Sequence, residues 1–282
     1  AVLNSRSTDR YLGMLAPNLD FKLGHVLNLP APASKGSRKE LAEIAEEAIR
    51  LERDLWNSQE MSADFQRLPL LAVSPKLQDS VMETESSRNA AVVELEILHG
   101  RIDSALSSGS SEVEDAGKVV ADDPSPSDGD YIRSLISYAV GCIFGRYSID
   151  RPGLILADQG ASLHDFLERV PQPTFAPDAD NVIPIVDGDW FDDDVVTRFR
   201  QFLRISFGER HFEENLRFVT GALGVKDLRD YFVKSFYKDH VQRYKKRPIY
   251  WLFSSPKGSF NALIYMHRYT PSTVSTVLND YL

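Results

Sequence analysis

The sequence has one cysteine, Cys142, and no long apolar run. A single thiol excludes an internal disulfide and any zinc site built from several cysteines. The longest nearly apolar stretch covers residues 138–145, whereas a membrane-spanning helix needs about 20 apolar residues. The first residues also lack the apolar core of a secretory signal. We therefore expect a cytoplasmic protein that makes no membrane contact.

Common catalytic and cofactor motifs are missing as well. None of the six histidines has the spacing of a His-x-x-x-His or His-Glu-x-x-His metal pair. There is no Gly-x-Ser-x-Gly nucleophile motif, glycine-rich phosphate loop or Gly-x-Gly-x-x-Gly fingerprint. These absences argue against a self-contained hydrolase, kinase or dehydrogenase. Cys142 lies in an apolar run, so we interpret it as a buried structural thiol.

The composition is that of a globular protein, because 43% of the 282 residues are hydrophobic and 26% are charged. The periodicity predicts a mainly α, α+β fold. A helical spacer or bundle precedes a helical domain that carries a small antiparallel β-hairpin or sheet. One apolar stripe runs from Leu41 to Leu55 after a Ser37/Glu40 capping box, and a second covers residues 85–102. These two helices should pack together.

A segment rich in serine, glycine and acidic residues separates two parts of the chain. Residues 104–130 hold seven carboxylates and one lysine, which indicates a flexible linker. We predict the end of a recognition-type domain and spacer helices at 1–103, an acidic linker or loop at 104–129, and an α+β domain at 130–282.

The C-terminal part begins with a helix at 131–147, in which Gly141 and Gly145 indicate close approach of a neighbouring backbone. The sequence then predicts a short strand at 181–186 and further helices. Residues 249–253 and 260–267 alternate with period two and predict a hairpin. A last helix follows Thr270 and Pro271 and continues to the final residue, which suggests that the chain is cut from a longer protein.

An acidic group precedes one of these helices and allows two interpretations. Clustered carboxylates can bind Mg²⁺ or Ca²⁺, and a metal-dependent nuclease would then be a function. The spacing does not fit an EF-hand, so we favour helix capping and complementarity to the helix dipole. The residues are Asp187, Asp189, Asp192, Asp193 and Asp194.

Positive charge is concentrated at the end of an acidic chain. The net charge is −9, but residues 226–282 carry +6 and the remainder carries −15. Cations beside aromatic residues on a hairpin can contact phosphates, although an ordinary basic helix end and a solvated surface are the alternatives. The candidate DNA contacts are Arg243, Lys245, Lys246, Arg247, Lys257 and Arg268.

Several stretches resemble a known family. They include Lys-Lys-Arg-Pro-Ile-Tyr-Trp-Leu-Phe at 245–253, Phe-Asn-Ala-Leu-Ile-Tyr-Met-His-Arg-Tyr at 260–269 and the segment at 134–150. With residues 18–30 and 54–71, they resemble the PglX family of adenine-specific DNA methyltransferases from BREX phage-defence systems. The resemblance extends from about residue 18 to residue 282. It implies double-stranded DNA as a partner and S-adenosylmethionine as cofactor of the full-length parent.

The resemblance also shows what this chain lacks. The family's S-adenosylmethionine loop and its Asn-Pro-Pro-Tyr motif lie N-terminal to the matched region, and neither occurs here. The aromatic residue of that motif stacks on a flipped adenine. No family catalytic residue can therefore be transferred to this chain. We expect a fragment that is inactive alone, with no cofactor or metal of its own.

Two functions follow from these expectations. The first is a non-catalytic DNA-recognition and scaffold region of a methyltransferase, with the six cations facing the duplex. The alternative is a protein-interaction module that docks other BREX components or a phage inhibitor without touching DNA.

Overall fold

The computed structural model describes residues 12, 35–71, 73–107 and 125–282. It divides into two compact units. One unit comprises the described residues up to Trp56 and from Glu85 to Ser125, and the other comprises Asn57–Thr84 and Pro126–Leu282. Residues 57–84 thus group with the C-terminal part of the chain. The acidic linker expected at 104–129 falls largely outside the described residues, and residues 18–30, which carry part of the resemblance, fall wholly outside them.

The first unit is built from two helices, α1 (Lys35–Asn57) and most of α2 (Leu77–Ser107). Their apolar stripes form one core, as the periodicity predicts. Its buried members are Leu41, Ile44, Ala48, Leu95, Leu98 and Ile102. The helix α1 begins two residues before Ser37, so Ser37 is not its N-cap as the sequence pattern suggested.

The second unit contains helices and one small sheet. Its helices are α3 (Asp128–Ile143), α4 (Leu163–Arg169), α5 (Val195–Phe207), α6 (Phe212–Leu223), α7 (Leu228–Tyr231), α8 (Tyr237–Arg243) and α9 (Thr273–Thr276). A 3₁₀ turn, Glu209–His211, precedes α6, and another, Met266–Arg268, precedes α9. Wider π turns join α7 to α8 over Phe232–Phe236 and extend α9 over Val277–Tyr281.

The sheet contains β1 (Val182–Pro184), β2 (Tyr250–Ser254) and β3 (Asn261–Tyr265) in the order β1-β3-β2. Both pairs are antiparallel, with Trp251 and Val182 each opposite Ile264. The mainly α, α+β expectation is confirmed, including the hairpin and the short strand. The pairing of β1 with β3 was not predicted, because sequence periodicity carries no information on distant strand partners.

The two faces of the sheet pack against different clusters. Side chains such as Tyr250 and Leu263 join the large core, whereas Ala262 and Ile264 pack on Val277 of the C-terminal turn. Since side chains alternate between faces along a strand, burial of both faces accounts for the nearly continuous apolar sequence of β3. β1 and β2 are the edge strands, and within the described residues neither pairs with a strand on its outer side.

The helix α3 forms the centre of the large core. Residues 135–143 are all buried along it, and Cys142 is among them, so the interpretation of this thiol as structural is confirmed. Burial raises the pKa of Cys142 well above its ordinary value. The N-cap is Ser127, with Asp130 completing a capping box.

The segment before α2 is anchored rather than a loose connection. Phe65, Leu70 and Leu77 are buried in the large core. The Asn215 amide accepts a hydrogen bond from the Leu77 N–H at 2.8 Å and donates to the Pro75 carbonyl at 2.9 Å. This amide satisfies backbone groups at the helix start that would otherwise be buried without partners.

Gly141 allows an aromatic side chain to lie against α3. A Cβ added there would lie 2.4 Å from Cδ2 of Tyr147, whose ring stacks on Tyr138 at 5.1 Å between centroids. The close neighbour is thus a tyrosine ring and not the backbone that the sequence suggested. Gly221, in α6, has no neighbouring atom within 4 Å of such a Cβ.

The same substitution at these two helical glycines should have opposite effects on stability. Gly141→Ala should lower the free energy of unfolding by about 1–3 kcal/mol because the added methyl group overpacks the core. Gly221→Ala should raise it by up to about 1 kcal/mol, because alanine favours helix and the site has room. Urea unfolding of both variants measures the difference. Equal stability of the two variants would contradict the described packing around Tyr147.

Candidate nucleic-acid interface

The turn that follows α8 presents three consecutive cations, Lys245, Lys246 and Arg247. The two lysines have positive φ angles of 49° and 64°, which are unusual for residues with a side chain. The Lys245 N–H donates to the Gln242 carbonyl at 2.9 Å, and the Lys246 N–H donates to the Val241 carbonyl at 2.8 Å. The backbone of this turn therefore closes the helix end in the manner usually provided by glycine.

A buried tyrosine fixes the turn on its helix side. Tyr244 is 8% exposed, and its hydroxyl donates to the Glu60 carboxylate at 2.8 Å. The other oxygen of Glu60 accepts from the Ser137 hydroxyl of α3 at 2.5 Å. Burial, followed by the proximity of Glu60, raises the pKa of Tyr244 above its ordinary value. The tyrosine therefore remains a neutral donor.

A buried histidine fixes the turn on its strand side. His240 Nε2 accepts the N–H of Tyr250, the first residue of β2, at 3.2 Å, and the two rings stack at 4.8 Å between centroids. Burial lowers the pKa of His240 to about 3, assisted by the positive charges of Arg243 and Arg146. The imidazole is therefore neutral, as an acceptor nitrogen must be.

The cations between these anchors face solvent. Lys245, Lys246 and Arg247 are exposed and form no ion pair with any residue that the structure describes. Trp251, the next exposed side chain along β2, has half of its surface in solvent. Lys257 is exposed in the hairpin turn, where Gly258 has a φ of 68°. We call Lys245, Lys246, Arg247, Trp251 and Lys257 the basic edge.

The basic edge is elongated. The strand β2 separates the three-cation turn from Lys257, and its five residues span about 13 Å at a rise of about 3.3 Å per residue. The structure therefore brings Lys245, Lys246 and Arg247 together and places Lys257 at the other end of the hairpin.

Arg268 does not belong to this surface, which corrects its assignment as a DNA contact. It is 6% exposed, and its guanidinium donates to the carbonyls of Phe144, Asp178 and Ala179 at 2.9–3.2 Å. These bonds tie the residues after β3 to the end of α3. Arg243 is half-buried and donates to the Ser134 hydroxyl at 3.2 Å, so it contributes charge behind the basic edge.

The acidic group before α5 has structural partners. Asp194 is the N-cap of α5, where its side chain accepts from the Thr197 N–H at 2.7 Å, and it pairs with Arg229 at 2.7 Å. Asp193 accepts from the Tyr281 hydroxyl at 2.8 Å. The capping interpretation is confirmed for Asp194. Within the described residues, no three His, Cys, Asp or Glu side chains converge as metal ligands.

Two residues on which this interface depends have no distinctive signal in the sequence. Glu60 and His240 are isolated polar residues in the sequence, and only the fold brings them to either side of the turn. The one signal available in the sequence was a polar residue within an apolar stripe. Such a residue does not reveal which group it will hydrogen-bond in the fold. Of the two aromatic residues that begin β2, Tyr250 is buried and Trp251 is exposed.

The chain is similar to two curated proteins along its whole length. No protein-family model matches it. It is 38% identical over 307 aligned positions to the adenine-specific methyltransferase PglX of Lacticaseibacillus casei (strain Zhang). It is 32% identical over 317 positions to the adenine-specific methyltransferase BrxX of Escherichia coli O9:H4 (strain HS). Both alignments cover the whole chain.

The chain is homologous to one region of the PglX-type adenine-specific methyltransferases. It spans about a quarter of the length of these two curated relatives, 24% of PglX and 26% of BrxX. The sequence resemblance to PglX is thus confirmed. Among the helices that the structure describes, none has both the length and the apolar character to cross a membrane.

His240 should make the stability of this PglX-type region depend on pH. His240 has a pKa of about 3 in the folded chain and an ordinary value of about 6.5 when unfolded. Below pH 6.5 the unfolded chain binds a proton that the folded chain does not. The contribution of neutral His240 to the free energy of unfolding is therefore complete above pH 6.5. It is lost as the pH falls towards 3.

We expect His240→Gln, which keeps an acceptor but does not titrate, to remove this dependence. Between pH 7 and pH 5 the unmodified chain should lose about 2 kcal/mol more unfolding free energy than the variant. Urea unfolding at both pH values measures the loss. His164→Gln is the control because His164 is exposed. A pH dependence of His240→Gln that matches this control would show that His240 is not a buried neutral acceptor.

Proposed function

We propose that this chain is a non-catalytic DNA-recognition and scaffold region of a SAM-dependent adenine-specific DNA methyltransferase of a BREX-type phage-defence system. The observation that carries the proposal is the exposed run Lys245, Lys246 and Arg247, held between the buried anchors Tyr244 and His240. The homology to PglX and BrxX supports a DNA-modifying parent. Duplex DNA is the proposed partner, and the cytoplasm is the proposed location.

The electrostatics of the basic edge suit a phosphate backbone. Each phosphate that a lysine or arginine neutralises releases condensed counterions, and this release drives association. The three cations of the turn have no carboxylate partner among the described residues, so DNA would not have to displace an existing ion pair. The rest of the chain is acidic, which would restrict DNA to this edge.

The shape of the basic edge suits a duplex as well. The distance of about 13 Å along β2 corresponds to about four base pairs at 3.4 Å each. Lys257 and the three-cation turn could therefore contact phosphates several nucleotides apart, with Trp251 between them. Such contacts would set the position of the duplex but would not read its sequence.

Methyl transfer is proposed to occur elsewhere in the parent protein. Attack on adenine needs a flipped base in a pocket that holds it by stacking, and this sequence lacks the Asn-Pro-Pro-Tyr motif and the cofactor loop. No catalytic step is therefore assigned to the described residues. Other BREX components are further proposed partners of the parent.

Charge reversal tests the proposal directly. The variant Lys245→Glu, Lys246→Glu, Arg247→Glu should weaken binding of a labelled 20-base-pair duplex at least 100-fold at low salt, because three phosphate contacts become repulsive. Fluorescence anisotropy measures the dissociation constant. The side chains are exposed, so urea unfolding should show little change in stability.

The matched control is a triple reversal at Arg210, Lys226 and Lys238, which are also exposed and change the net charge by the same amount. We expect a loss of less than tenfold for this control. Equal losses of duplex affinity in both variants would mean that binding depends only on the net charge of the chain and not on the basic edge. No duplex binding by the unmodified chain at low salt would contradict the proposal and favour the protein-interaction alternative.

A further inference from the structure

A second surface feature adjoins the Lys257 end of the basic edge and includes the loop between β1 and α5. This loop and the hairpin turn form an open groove of about 280 Å³. Most of its lining is aromatic or apolar, and one lining residue is a carboxylate. The lining residues are Val186, Asp187, Trp190, Phe191, Ser259 and Phe260.

One wall of the groove is a packed aromatic cluster. The rings of Phe191 and Phe260 meet edge to face at 6.1 Å between centroids, and Tyr281 lies 5.3 Å from Phe191. The Tyr281 hydroxyl donates to the carboxylates of Asp180 and Asp193 at 2.9 Å and 2.8 Å. This wall is therefore fixed by contacts that do not depend on any ligand.

The other wall is Trp190, which is 77% exposed. Its indole lies against the backbone of Gly188, where φ is 150° and an added Cβ would come 2.4 Å from the indole nitrogen. The glycine therefore leaves room for the ring beside the loop. A large exposed aromatic surface of this kind is typical of binding sites.

The charge around the groove is negative. Asp187 is exposed and forms no hydrogen bond or ion pair within the described chain, although Lys234 acts on it from a distance. Lys234 itself pairs with Asp230. Arg229 pairs with Asp189 and Asp194 and donates to the Val186 carbonyl at 2.8 Å. That arginine fixes the loop and leaves the Asp187 carboxylate available.

We propose that this groove binds an arginine side chain presented by a basic segment of a partner protein. A guanidinium stacks on an indole face and is attracted by its quadrupole, and a carboxylate at the groove edge completes a site for an organic cation. Asp187 and Asp192, which are exposed and form no ion pair within the described chain, would repel a phosphate backbone at this groove. This inference does not rest on the proposed function.

The test uses the 282-residue chain and a peptide with three arginines alternating with glycines. The matched probe replaces each arginine by citrulline, which has nearly the same shape without the charge. The chain has three tryptophans, so NMR of their indole N–H groups separates Trp190 from Trp56 and Trp251, with Trp190→Phe giving the assignment. We expect the arginine peptide to shift the Trp190 resonance and to bind at least tenfold more tightly than the citrulline peptide.

Two substitutions that each remove one carboxylate charge test where the arginine of the peptide binds. Asp187→Asn should weaken arginine-peptide binding at least about fivefold, whereas Asp192→Asn should change it less than twofold. Both residues are exposed in the same loop, but only Asp187 lines the groove. Equal effects of the two variants, or equal binding of both peptides, would overturn the proposal. A Trp190 shift produced by single-stranded oligothymidine and not by the arginine peptide would also overturn it.

Discussion

The hydrogen bond from the Tyr250 N–H to His240 Nε2 is the constraint on which the surface chemistry depends. It joins the last full turn of α8 to the first residue of β2 in a buried environment, where an unpaired N–H would be costly. The short chain between these residues has little freedom left, and Lys245, Lys246 and Arg247 within it are exposed. The second anchor, Tyr244 on Glu60, restricts the same turn from the helix side.

These anchors explain how two lysines are held in a left-handed conformation. Each such residue costs about 1 kcal/mol relative to glycine. Burial of Tyr250, which is fully enclosed, and of Tyr244 offsets that cost. Glycine would serve the backbone better, so lysine at both positions supports the proposed phosphate contacts of this turn.

Local features of the fold were predictable because they depend on spacing along the chain. The apolar stripe through Leu41 and Ile44, the hairpin and the buried Cys142 all follow from periodicity and composition. Distant pairings were not predictable, since Glu60 and Tyr244, or β1 and β3, are brought together only by tertiary packing. The same limit explains Arg268. Its charge suggested a phosphate contact, but three backbone carbonyls surround it in the fold.

The salt dependence of duplex binding shows whether the anchored turn contacts phosphates. The variant Lys245→Gly, Lys246→Gly relieves the backbone strain, so it removes two charges without weakening the fold. The plot of log affinity against log salt concentration should then lose about 1.8 units of slope, because each phosphate contact contributes about 0.9. Parallel plots for the variant and the unmodified chain would contradict the account.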